Sequence, residues 1–142
     1  MDHMDHSTQM RELGLRVTRG RLAVLEVLDR LPHSSAETVV AKVHEGLPDV
    51  SIQSVYNVLN DLTEQGILRR FTPPHSPALY ETRVNDNHHH AICTSCGRIE
   101  DVECAVGHAP CLTPSDDHGM VIQIADVLYQ GVCEDCRKSG AA

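Results

Sequence analysis

Two Cys-x-x-Cys pairs, Cys93/Cys96 and Cys133/Cys136, stand with 36 residues between them. Four thiolates in that pattern are the ligand set of a closed tetrahedral zinc site. Zinc has no redox chemistry, and a fourth sulfur leaves no coordination position for water or substrate, so such a site is structural. Just before the first pair the chain reads His88-His89-His90-Ala91-Ile92-Cys93. Residues two apart on a strand point the same way. His88 and His90 can therefore present imidazoles to one cation while His89 faces elsewhere. Glu81 precedes this tract and Asp101 follows on the next strand. Nitrogen and carboxylate donors with five or six positions favour Fe(II), Mn(II) or Zn(II) over a soft-metal cage.

The elements that must position these groups change character along the chain. In the first half, Ser7 can cap a short helix ending at Gly14. Thr18 can cap a second, carrying Leu22, Leu25, Leu28 and Leu31, with Pro32 closing it. Ser34-Ser35-Ala36-Glu37 reads as a capping box for a third helix running to Gly46. Ser51 can cap a fourth, with Ile52, Val55, Leu59 and Leu62 as its buried stripe and Gly66 beyond its end. Residues 67–71 and 78–81 flank a proline-rich turn and read as a β-hairpin. Helices followed by a hairpin are the layout of a winged helix-turn-helix. Its recognition helix would show Ser51, Gln53, Ser54, Tyr56 and Asn57 to base edges and phosphates. The same residues would also suit an ordinary solvated face. In the second half, residues 89–93, 98–103 and 120–129 read as strands, and 110–118 has room for a short helix.

Composition bounds the function. A chain of 142 residues is one domain or two small ones, and neither half buries a large core unaided. A structural zinc would add roughly 10–16 kcal/mol of apparent binding energy towards folding. Residues 1–82 hold 8 Lys/Arg and 11 Asp/Glu, a net of −3; residues 83–142 hold 4 and 9, a net of −5. Seven of the first eight cations are Arg, which permits a local basic surface but does not establish one. No apolar run approaches the ~20 residues of a membrane span. Residues 1–6 lack the pattern of a secretory signal. The expectation is a cytoplasmic protein whose cysteines serve metals rather than disulfides.

At this point the chain resembles the ferric uptake regulator (Fur) family. The residues that carry the resemblance are His88-His89-His90-Ala91-Ile92-Cys93-x-x-Cys96-Gly97, then Cys133-x-x-Cys136. Arg16-x-Thr18-x-x-Arg21 and Ser51-x-x-Ser54-Val55-Tyr56-Asn57-x-Leu59 join them. The likeness runs from about residue 10 to residue 137. It implies an α+β chain: a winged helix-turn-helix over 1–80, with a flexible N-terminal tail, then a small α/β zinc-stabilised dimerisation domain over 81–142. It further implies a homodimeric, metal-dependent repressor that binds palindromic double-stranded operator DNA. Cys93, Cys96, Cys133 and Cys136 would hold structural zinc. His33, Glu81, His88, His90 and Asp101 would take regulatory Fe(II) or Mn(II). Arg16, Thr18 and Arg21 join the recognition helix as DNA contacts. A third metal site of the family is not implied, because its usual positions carry His108, Ala125 and His89 here.

Asp101, and the sequence around Cys104 to Leu112, resemble the peroxide-sensing, catalase-linked actinobacterial branch (the FurA/CatR type). In that branch a bound Fe(II) that meets hydrogen peroxide leads to oxidation of a ligand imidazole, here His33 or His88, and the repressor leaves its catalase or catalase-peroxidase operator. Two other readings stay open: an iron-, zinc- or nickel-responsive repressor, and a thiol redox switch through Cys104 and Cys111. An enzyme is not expected. A zinc deaminase needs His-x-Glu and Pro-Cys-x-x-Cys, and neither cysteine pair follows a proline.

Overall fold

The computed structural model describes residues 5–82, 84, 88–104 and 112–140. The chain divides into two compact units, residues 1–84 and 85–142. The first begins with α1 (His6–Glu12), α2 (Arg19–Arg30), β1 (Ser34–Ser35), α3 (Ala36–Gly46) and α4 (Ile52–Glu64). It ends with β2 (Arg69–Phe71) and β3 (Leu79–Glu81). Side-chain oxygens set three of the four helix starts. Thr18 accepts from the Arg21 N–H, Ser35 from that of Thr38 and Ser51 from that of Ser54. Beyond α4, Gly66 takes φ +77°, and the N–H groups of Ile67 and Leu68 both return to the Leu62 carbonyl.

The core of this unit is aliphatic. Leu25, Leu28, Val39, Val43, Val55, Leu59, Leu62 and Ile67 close over Met10 from α1. Each buried side chain of this size contributes roughly 1.5–3 kcal/mol. Several sequence expectations shift here. Leu31 is 40% exposed, and Val24 and Val27 are buried in its place. Steps of three residues drift by about 60° each on a 3.6-residue helix, so by Leu31 the row has left the buried face that Leu25 and Leu28 occupy. Ile52 is 57% exposed rather than buried, since it opens α4 before the first full turn packs. The cap of α1 is Asp5, not Ser7, and that of α3 is Ser35, while the Ser34 hydroxyl donates back to the Leu31 carbonyl.

β1 has no signal in its composition. It adds to the hairpin, giving the antiparallel order β1-β3-β2 with Ser34 opposite Tyr80 and Arg69 opposite Glu81. Helices packed with a three-stranded hairpin sheet form the expected winged helix-turn-helix.

The second unit holds β4 (His88–Cys93), β5 (Ile99–Glu103), β6 (Leu128–Gly131) and α5 (Glu134–Ser139). The order is β5-β4-β6, with β4 antiparallel to β5 and parallel to β6. The strand expected over 120–129 is confined to 128–131, and residues 112–118 form no helix. Met120, Val121 and Ile124 are exposed. Among the described residues, the only fully buried side chains of this unit are His88, His89, His90 and Cys93. α5, which the sequence reading missed, starts with Glu134 and Asp135 and ends with Arg137 and Lys138, in keeping with its dipole.

No described helix is long and apolar enough to cross a membrane.

Candidate metal centres and DNA-reading face

The four cysteines meet because β4 and β6 run parallel. Cys93 ends β4 beside Gly131, and two residues later Cys133 caps α5. The turn after β4 brings Cys96 back, with Gly97 at φ +80° supplying the reversal. The first turn of α5 carries Cys136. The sulfurs of Cys93 and Cys136 are 3.8 Å apart, as are those of Cys96 and Cys133. All four lie within 4.8 Å of one another. Tetrahedral zinc with 2.3 Å bonds requires sulfurs about 3.8 Å apart. The donor set fits zinc, and the spacing is nearly twice a disulfide bond of about 2.05 Å.

Backbone groups prepare this cluster. The N–H of Cys133 points at the Cys93 sulfur at 3.3 Å, and that of Cys96 at 3.4 Å. These two bonds lower the Cys93 thiol from 9.0 to about 6, the Cys133 contribution being the larger. Cys136 moves the other way, to about 12, chiefly through its hydrogen bond with the Cys133 sulfur and then through burial. Four thiols this close cannot all ionise without a cation among them.

The first unit offers a second, smaller donor set. Since Ser34 pairs with Tyr80, residue 33 comes opposite residue 81, and the His33 N–H extends the ladder to the Tyr80 carbonyl at 3.0 Å. His33 Nε2 then lies 3.1 Å from Glu81 Oε2. Glu81 is 1% exposed. His33 holds φ +64°, a left-handed conformation that costs a non-glycine residue on the order of 1–2 kcal/mol. Phe71 braces its ring edge-on, with centroids 5.9 Å apart.

The second unit offers a third set. The β4/β5 register places His90 opposite Asp101 and His88 opposite Glu103. Asp101 Oδ1 sits 3.6 Å from His90 Nε2 and 3.7 Å from His88 Nε2, and the two rings meet edge-to-face at 4.9 Å. Ligand atoms about 2.0–2.2 Å from a shared cation stand roughly 3.0–3.6 Å apart. The pair in the first unit falls in that range, and the trio in the second lies at its upper edge. His33 and Glu81 are thus brought together within one unit, and His88, His90 and Asp101 within the other.

The remaining site residues lie on the helical unit. Gln53, Ser54 and Asn57 are exposed on α4, with the Gln53 amide donating to Asn57 Oδ1 at 3.0 Å. Tyr56 is half-buried and packs against the core. The hydroxyls of Thr18 and Ser51 serve as helix caps, and Arg21 donates to the Arg16 carbonyl. Sequence reasoning overlooked Arg69, whose guanidinium faces Glu81 from β2. Only the hairpin register could have found it. Cys104 is half-buried; Cys111, His108 and the segment around them lie outside the described residues.

Comparison with known proteins yields a consistent picture. The model of the ferric uptake regulator family matches residues 12–123. The chain is 53% identical over 132 residues to the transcriptional regulator FurA of Mycobacterium tuberculosis, covering 93% of this chain and 90% of that one. It is 54% identical over 128 residues to ferric uptake regulation protein 1 of Mycolicibacterium fortuitum, covering 90% and 80%. Among solved structures, the Campylobacter jejuni peroxide stress regulator superposes with TM-score 0.68 at 26% identity, covering 94% and 100%.

Proposed function

Because the chain belongs to the ferric uptake regulator family, and is therefore a transcriptional regulator rather than an enzyme, we propose that it is a peroxide-responsive, metal-dependent repressor. It acts in the cytoplasm as a homodimer on a palindromic operator controlling a catalase or catalase-peroxidase gene. The observation that carries the metal-dependent reading is the split of hard donors. His33 and Glu81 belong to the DNA-reading unit, and His88, His90 and Asp101 to the other. Two donors or three leave a five- or six-coordinate cation incompletely bound. A cation that takes all five ties the winged helix to the second unit and fixes the half-site spacing of a dimer. A coupling of roughly 1–3 kcal/mol changes operator affinity by about 5–150-fold.

Cys93, Cys96, Cys133 and Cys136 hold zinc and complete the interior of the second unit. The exposed Met120, Val121, Ile124 and Tyr129, together with the β6 edge, suit a second copy of the chain as the missing partner. On the DNA side, Gln53, Ser54, Tyr56 and Asn57 of α4 read base edges. Arg16, Thr18, Arg21 and Ser51 support them or contact phosphates.

Fe(II) held by these donors would supply redox chemistry that reduces hydrogen peroxide to water and leaves its other oxygen atom on a nearby imidazole. By the resemblance to the peroxide-sensing branch, the imidazole that takes up this oxygen is that of His33 or His88, each beside a carboxylate of its donor set. Fe(II)-loaded protein treated with peroxide should gain one oxygen atom on the peptide bearing His33 or His88, read by mass spectrometry. A protein that loses DNA while both peptides keep their mass would overturn the peroxide assignment and leave a plain iron, zinc or nickel sensor, or a thiol switch.

A further inference from the structure

Glu81 ends β3, the middle strand of its sheet, with a different neighbour on each side. β1 brings His33 to one side, and the β2 register brings Arg69 directly opposite on the other. Arg69 Nε lies 3.9 Å from Glu81 Oε1, while His33 Nε2 lies 3.1 Å from Oε2. The carboxylate is closed off from water, and a quarter of the Arg69 side chain is exposed. We propose that Arg69 is the internal counter-cation of Glu81 and sets how tightly that carboxylate can hold a divalent metal. The inference rests on the reading of Glu81 as a regulatory ligand.

The two neighbours differ in one respect that matters. The imidazole of His33 offers a lone pair to a cation when neutral. The Arg69 guanidinium has no lone pair to give and cannot lose its proton. Its charge therefore persists when a divalent cation arrives on the same carboxylate. Two opposing effects follow. Arg69 helps to orient the Glu81 carboxylate, which favours metal binding; it also repels the incoming charge, which opposes it.

Repulsion is the larger effect. The placement of Glu81 has other supports, since its backbone is paired with β2 and its Oε2 meets His33. The repulsion between a single and a double charge a few ångströms apart, beside a buried group, is only weakly screened. Arg69 thus raises the metal concentration at which the donor set fills. A sensor needs such a threshold, so that metal dissociates when the cell is depleted.

The test uses the full-length, zinc-loaded protein with Mn(II) as the probe, titrated calorimetrically in the absence of oxygen. Arg69→Gln should bind Mn(II) on the order of tenfold more tightly than wild type, and Arg69→Lys should stay near wild type. Arg69→Met, which keeps the aliphatic stem, gives a second neutral variant should Arg69→Gln fail to fold by circular dichroism. Unchanged or weaker Mn(II) affinity in a folded neutral variant, with Glu81→Gln losing affinity, would overturn the role of Arg69 alone. Mn(II) affinity unchanged in Glu81→Gln would remove the regulatory reading of Glu81, and this inference with it.

Discussion

His33 and Glu81 touch at 3.1 Å, although 47 residues separate them in the chain, because the two-residue strand β1 pairs with β3. The contact places a buried carboxylate and a conformationally strained imidazole at the junction of helix and hairpin in the DNA-reading unit. A backbone held at φ +64° on a non-glycine residue is maintained by its surroundings and points to use.

His33→Asn separates the side chain from its backbone. Asparagine tolerates the left-handed conformation, so stability to urea should change by less than about 1 kcal/mol. Mn(II) affinity, measured by calorimetry, should fall at least about tenfold, and operator binding should cease to depend on metal. Undiminished affinity would remove His33 from the ligand set.

Cys93→Ser or Cys136→Ser should abolish zinc retention and the dimer together, because the second unit has no described apolar core to fall back on. Metal content by mass spectrometry and mass by sedimentation check this. A zinc-loaded dimer of either variant would contradict a structural role.

Zinc uptake by the metal-free protein should release protons and strengthen as pH rises. With the Cys136 thiol near 12, that sulfur is protonated at pH 7 and must give up its proton to become a ligand. Cys93, near 6, is already largely thiolate. Calorimetry in buffers of different ionisation enthalpy counts the protons released; affinity independent of pH between 6 and 8 would contradict the mechanism.

Asn57→Ala should weaken operator binding by about 1–3 kcal/mol with stability and metal content unchanged, since its side chain is exposed on α4. Tyr56 calls for Tyr56→Phe rather than Ala, because its ring packs against the core and truncation would confound affinity with folding. Fluorescence anisotropy on operator DNA reads both. Wild-type affinity of both variants would mean that another face meets the DNA.

Much of this architecture is legible in the chain, and the exceptions have physical causes. Thr18 and Ser51 announce their helices because a side-chain cap acts locally. The four cysteines are equally clear, since metal ligation constrains spacing. Leu31 and Ile52 misled: a step of three approximates the helical period only over short spans, and Ile52 opens α4 ahead of its packed turns. β1 is two serines and draws its strand character from β3 alone. Residues 120–127 read as strand in the sequence, but pairing begins only at Leu128, which the sequence does not signal. Arg69 went unnoticed because a cation in a strand says nothing until register places a carboxylate across from it.

The central claim is that the bound metal itself does the sensing. Its most direct test is anaerobic binding of the zinc-loaded protein to a palindromic Fur-type operator, with Fe(II) or Mn(II), before and after hydrogen peroxide. Peroxide should release the Fe(II) form and leave the Mn(II) form on the DNA. Release of both forms alike would implicate the thiols, and release of neither would contradict peroxide sensing altogether.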